Sequence, residues 1–244
     1  MKKRGQITPF IIMGILILIL MSLIFYISSI SKAGTLPTEH VEATRMQLNT
    51  HIQECVEMVS ADSVYVLGLQ GGYISRPEKV FWHNQMGTSI LYSENKTYMP
   101  TLQAMEANLS AYVETFLPYC VNFSFFPGYE ITADKADVRV QAEDGRILFD
   151  INWPITYSQG GTSTMISEWS TPVPIDLKKF HNITASIVVK TQKDPSYIDH
   201  IFLLSHAMNI SYSVYNNTVV YDLRDVALYK DETDYVFIFA VETK

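Results

Sequence analysis

The chain has 244 residues, a formal charge of −7, 12% aromatic residues and 18% charged residues. An acidic balance excludes a nucleic-acid binder, because that affinity rests on cationic neutralisation of phosphates. Abundant Tyr and Phe with few charges exclude a disordered tail, and the roughly 210 residues beyond position 31 suffice for one sizeable core or two small ones.

Residues 1–9 carry Lys2, Lys3 and Arg4 and read as a basic cytoplasmic N-terminus. In the 21 residues from Phe10 to Ile30 the only strongly polar side chains are Ser22, Ser28 and Ser29, and 14 positions are Ile, Leu or Phe. A helix of that length measures about 31 Å, the thickness of a hydrocarbon core. Residues 10–30 are therefore expected to be a single transmembrane helix, and the cations before it place the N-terminus in the cytoplasm and residues 32–244 outside. Beyond the anchor 15 cations face 25 acids. A removable secretory signal with Ser31-Lys32-Ala33 as its cleavage site is the plainer alternative, although the apolar run exceeds the usual length of such a signal.

The run Lys2-Lys3-Arg4-Gly5-Gln6, followed at once by the apolar stretch, resembles the class III signal peptides of archaeal type IV pilins and archaellins. The resemblance implies cleavage after Gly5, a mature chain starting at Gln6, and a hydrophobic helix packed into a filament core. Many members carry Glu at the fifth mature position, where this chain has Phe10, preceded by Pro9.

Residues 31–37, with Lys, Gly, Thr and Pro, read as a juxtamembrane linker. From Thr38 to about Gly68, Val41, Met46, Leu48, Ile52, Cys55, Val56, Val59 and Val64 recur at helical spacings, predicting an amphipathic stalk helix over 38–68. Gly68 and Gly71-Gly72 end it. The glycine spacing of Leu67 to Tyr73 fits neither a dinucleotide nor a phosphate loop, and no Lys-Ser/Thr follows. Val80-Phe81-Trp82 and Ser89 to Tyr92 are expected as a hairpin. A second amphipathic helix is expected from Pro100 to Pro118, with Glu106 and Glu114 on its solvated face.

Beyond Phe126-Pro127-Gly128 the period becomes alternating. Val138, Val140, Ile147, Phe149 and Ile151 flank the turn Glu143-Asp144-Gly145-Arg146, and Trp153–Tyr157 and Met165–Val173 form a second pair about Gly160-Gly161. Lys178–Lys193 reads as a helix, with a strand about Val188-Val189 as the alternative, and Tyr197–His206 as a shorter helix. Ile210–Val214 and Val219–Tyr221 flank Asn216-Asn217, and Tyr235–Val241 is apolar enough for a central strand. This order predicts an α+β fold, a stalk followed by helices on an antiparallel sheet, with residues 38–244 as the extracytoplasmic domain.

The only cysteines, Cys55 and Cys120, lie in the exported part, and a disulfide between them is expected, with two buried thiols as the alternative. Asn95, Asn108, Asn122, Asn182, Asn209 and Asn216 each begin a glycosylation sequon. The six histidines show no zinc spacing, so no metal or other cofactor is expected. Asp199, His200, Ser205 and His206 could be pieces of a hydrolytic site, but no GxSxG elbow accompanies them. Asp134 with Asp137 and Asp222 with Asp225 are small acidic pairs that could hold Ca²⁺, but without EF-hand spacing they are read as solvated turn residues.

Cys55, Leu67–Ile74, Leu117-Pro118-Tyr119-Cys120 and Phe126-Pro127-Gly128-Tyr129 together resemble single-pass membrane proteins of small-genome archaea with no established activity. That resemblance implies an envelope location without a mechanism. The sequence thus points to a non-enzymatic, membrane-anchored envelope protein that meets the bilayer through residues 10–30, with a homo-oligomer or an envelope protein as its partner. A processed pilin-like subunit and an exported hydrolase are the alternatives.

Overall fold

A computed structural model describes residues 17–24, 38–75, 77–83, 86–206, 208–228 and 234–243. Two units make up the chain, residues 1–48 and 49–244. In the first, residues 17–24 are helical with exposed side chains. The rest of the predicted span 10–30, the N-terminus with Gly5 and Gln6, and the linker 31–37 lie outside the described residues. Among the described residues, no helix is long and apolar enough to cross a membrane.

The fold is mixed α+β. Helix α1 (Thr38–Leu69) is unbroken to the predicted glycines. Gly72 N donates to Leu67 O at 2.8 Å, Gly71 N donates to Gly68 O at 3.2 Å, and Gly71 has φ +60°, a Schellman termination. Strands β1 (Val80–His83), β2 (Met86–Ser93) and β3 (Lys96–Thr97) follow, then α2 (Leu102–Cys120). Pro100 lies before this helix rather than at its first position. Thr101 is the N-cap, its side chain accepting from Ala104 N, and the helix runs through Pro118 to the cysteine.

Strands β4 (Glu130–Ala133), β5 (Asp137–Glu143), β6 (Arg146–Gln159) and β7 (Thr162–Val173) form a four-stranded antiparallel sheet. The two hairpins expected here share one long strand, β6, which pairs with β7 along one side and with β5 and β4 end to end along the other. Its register shifts between Asn152 and Ile155, where Pro154 has no N–H to give the ladder. Alternate residues of β6, from Ile147 through Phe149, Ile151, Trp153 and Ile155 to Tyr157, are buried.

Helices α3 (Leu177–Lys193) and α4 (His200–Leu204) precede β8 (Asn209–Tyr215), β9 (Thr218–Leu228) and β10 (Asp234–Glu242). These strands join β1 and β2 in a second sheet of order β1–β2–β10–β9–β8, with β3 on β2. The apolar run from Tyr235 is central, as its sequence suggests, but it lies parallel to β2, so this sheet is mixed and not purely antiparallel. Tyr221, Leu223, Phe237 and Phe239 turn one face of the sheet toward the core, where Phe180 of α3 meets Tyr235 edge-on at 4.9 Å. Burial pushes the phenol of Tyr235 upward and that of Tyr221 up to about 12.

Glu106 and Glu114 do not sit on a merely solvated face. Helix α2 runs along β5, where Glu106 Oε1 accepts from Ala142 N at 2.8 Å and Glu114 Oε1 from Val138 N at 3.4 Å. The two carboxylates thus satisfy edge N–H groups that another strand would otherwise take. We expect Glu106→Ala to lower the unfolding free energy by about 1.5 kcal/mol, and Glu106→Gln, which keeps an acceptor, to cost less than half of that, read by urea unfolding.

Cys55 of α1 and Cys120 at the end of α2 are bonded, with Cα atoms 5.7 Å apart, closing a loop of separation 65. Replacing both by Ser should lower the unfolding free energy by about 4 kcal/mol on loop-entropy grounds, measured in the same assay.

Candidate functional site

The six-stranded sheet curls until its two edges meet. Tyr215 of β8 lies 4.3 Å, ring to ring, from His83 of β1 and 5.5 Å from Phe81. Phe81 and His83 project from the same side of β1, two residues apart, with rings 4° from parallel and centroids 6.4 Å apart. The curl leaves a groove of about 500 Å³ on the face opposite the aromatic core, a size typical of small-ligand sites.

The groove has three distinct surfaces. Phe81, His83 and Tyr215 form an aromatic wall. Ser211, Ser213 and Asp222 form a polar one, since Ser211 pairs with Asp222 across the β8–β9 ladder and so shares its side. Leu69 at the end of α1, Val220 and Ile238 supply apolar contact. No Lys or Arg lines it among the described residues. The carboxylate of Asp222 is held by Arg224, whose Nε lies 3.0 Å and Nη2 2.7 Å from its oxygens, so its charge is largely neutralised.

The alternation of serines with Tyr212 and Val214 in β8 was the one local sign of such a wall. Phe81 and His83 lie more than a hundred residues away and carry no sign of a shared site.

A second depression, of about 470 Å³, lies on the open face of the four-stranded sheet. Asp137, Asn152 and Glu168 form one cross-strand row there and Arg139, Asp150 and Ser170 the next. Charges of both signs with exposed side chains make it a solvated sheet face.

The residues considered for hydrolysis do other work. Asp199 caps α4 by accepting from Phe202 N at 3.0 Å and pairs with Lys190 Nζ at 2.7 Å. His200 packs its ring against Tyr212, and His206 Nδ1 lies 2.8 Å from Phe202 O, so the structure does not bring the three together around a shared cleft. Asp222 and Asp225 are separated by their partners, Arg224 and Lys179, the latter at 3.0 Å. Among the described residues no cluster of three or more His, Cys, Asp or Glu is placed to hold a metal.

Five of the sequon asparagines, Asn95, Asn122, Asn182, Asn209 and Asn216, are exposed, and Asn108 is half-buried. Asn95 and Asn216 occupy turns with φ +61° and +49°. Asn122 Oδ1 accepts from both Ser124 N and Ser124 Oγ, at 3.0 and 2.7 Å. By contrast Asn108 and Asn182 lie within helices. The hydroxyl of Ser110 is given to Val138 O, and that of Thr184 is fully buried.

Compared with known protein families, curated proteins and solved structures, the chain matches none.

Lys190 and then the Phe202 N–H hold the Asp199 carboxyl below its usual range. A depressed pKa gives stabilisation that is present above the unfolded value, about 4, and lost as pH falls through the folded one. Amide exchange in α4 should therefore quicken on acidification below about pH 4 and be fast already at neutral pH in Asp199→Ala.

Proposed function

We propose that this chain is a non-enzymatic, membrane-anchored envelope protein whose extracytoplasmic α+β domain binds a ligand in the groove between β1 and β8. The observation that carries the binding function is the convergence of aromatic, hydroxyl and apolar side chains from five strands and the end of α1 on one concavity. An external location is supported by the Cys55–Cys120 bond, which persists in oxidising compartments, and by sequon asparagines at the surface. The anchor is the apolar run 10–30 behind Lys2, Lys3 and Arg4, leading into the stalk helix α1. Its partners on this reading are the lipid bilayer and, laterally, further copies or another envelope protein.

The run Lys2 to Gln6 favours a second reading, a pilin-like subunit cut after Gly5. Mass spectrometry of the mature N-terminus separates the two. A start at Met1 or Lys2 is the expected result. A start at Gln6, with cell-surface filaments that vanish in Gly5→Trp, would replace the anchored binder by the filament subunit.

Protease shaving of intact cells should release fragments from residues 38–244, and glycopeptides in an N-glycosylating host should map to Asn95, Asn122, Asn209 or Asn216 and not to Asn108 or Asn182. Protection of the whole domain in intact cells would refute the external location.

A further inference from the structure

The two long walls of the groove differ in chemistry, and that difference defines what fits between them. On the β1 side the rings of Phe81 and His83 lie parallel, 6.4 Å apart, and Tyr215 packs at a tilt against both, so that three aromatic rings line this side of the groove. Such faces carry negative charge above the ring and attract polarised C–H groups laid flat against them. On the β8–β9 side the hydroxyls of Ser211 and Ser213 both donate and accept, and the Asp222 carboxylate accepts from any donor beside it. A ligand with C–H groups on its flat face and hydroxyls around its rim meets both requirements at once.

Charge narrows the choice. The groove is lined by one carboxylate and by no Lys or Arg, and the exported part as a whole is acidic. Phosphorylated and carboxylated ligands would meet no Lys or Arg lining the groove, the guanidinium of Arg224 being held by Asp222. Cations gain little, because Arg224 already holds Asp222. A purely apolar ligand would bury Ser211, Ser213 and Asp222 against carbon and lose their hydrogen bonds to water.

We infer that the groove between β1 and β8 binds an uncharged sugar ring, the end of a neutral glycan, with one face of the ring on Phe81, His83 and Tyr215 and its hydroxyls toward Ser211, Ser213 and Asp222. This rests on the binding function proposed above and supplies its ligand class.

The test uses the full chain in lipid nanodiscs, which avoids sugar-headed detergents. Neutral methyl hexosides and neutral disaccharides are titrated while the fluorescence of the tryptophans is followed, Trp82 standing on β1 between Phe81 and His83. At least one neutral saccharide should bind saturably. Glucuronate and glucose 6-phosphate should bind about ten-fold more weakly or not at all. Tyr215→Ala should weaken the neutral ligand about ten-fold, Tyr215→Phe, which keeps the ring, less than three-fold, and Ser213→Ala about three-fold. Asp150→Ala, on the other sheet, should change nothing, and unchanged far-ultraviolet dichroism shows that each variant is folded.

Absence of saturable binding by every neutral saccharide overturns the inference. So does equal binding of the acidic sugars, or a Tyr215→Ala variant that binds as well as the parent. Short unlabelled peptides and fatty acids are titrated in parallel. If one of these binds in a Tyr215-dependent way while the sugars do not, the sugar assignment fails and the binding function stands. If no probe binds, both fail.

Discussion

The C-terminal end of α1 can meet β10 only because Gly68 has no side chain. A Cβ there would stand 2.4 Å from Val236 O and 2.7 Å from the hydroxyl of Tyr235, so any other residue forces helix and strand apart. Much follows from that contact. It sets β10 under the helix, and β10 in turn holds β2 on one side and β9 on the other. It also places Leu69, one residue further on, at the groove. The glycines that a sequence reading takes as a simple stop signal thus also fix the distance between helical layer and sheet.

Wherever chain-local chemistry decides the structure, the sequence was a sound guide. Asp144-Gly145 and Gly160-Gly161 turn the hairpins because those residues accept the backbone angles of tight turns. Where partners come from afar it was not. The segments ending at Ile151 and starting at Trp153 read as two strands, yet they are one, whose register merely shifts near Pro154 because β6 is held along its length by β7. The parallel pairing of β10 with β2 joins segments about 150 residues apart, and no local pattern encodes it. Glu106 and Glu114 lie at the margin of an apolar stripe, and periodicity cannot tell water beyond that margin from the open edge of a strand. The groove was illegible for the same reason, since its aromatic wall is assembled from β1 and β8 only when the sheet curls.

The molecule treats its two sheets differently. The four-stranded sheet has one buried face and one face of charged residues in cross-strand rows, the usual division for an antiparallel sheet in water. The six-stranded sheet buries its aromatic face and, by curling, partly encloses the other. Enclosure is what separates a surface that water covers from one that can hold a ligand, because a concave wall touches it on several sides. The low charge of that enclosed face is therefore its most informative chemical property.

Helix α3 packs against β2 and β10 of one sheet and β5 of the other. Its first turn carries Lys178 and Lys179 side by side, the former paired with Asp144 at the β5–β6 turn and the latter with Asp225 of β9. Asp144 stands almost fully in solvent and Lys178 is partly exposed, whereas both members of the Asp225 pair are partly shielded. Rising ionic strength therefore loosens the two ties of this first turn unequally. In brine the β5–β6 turn would slip its mooring first while β9 stayed tied, so the same end of the helix would ease from one sheet before the other.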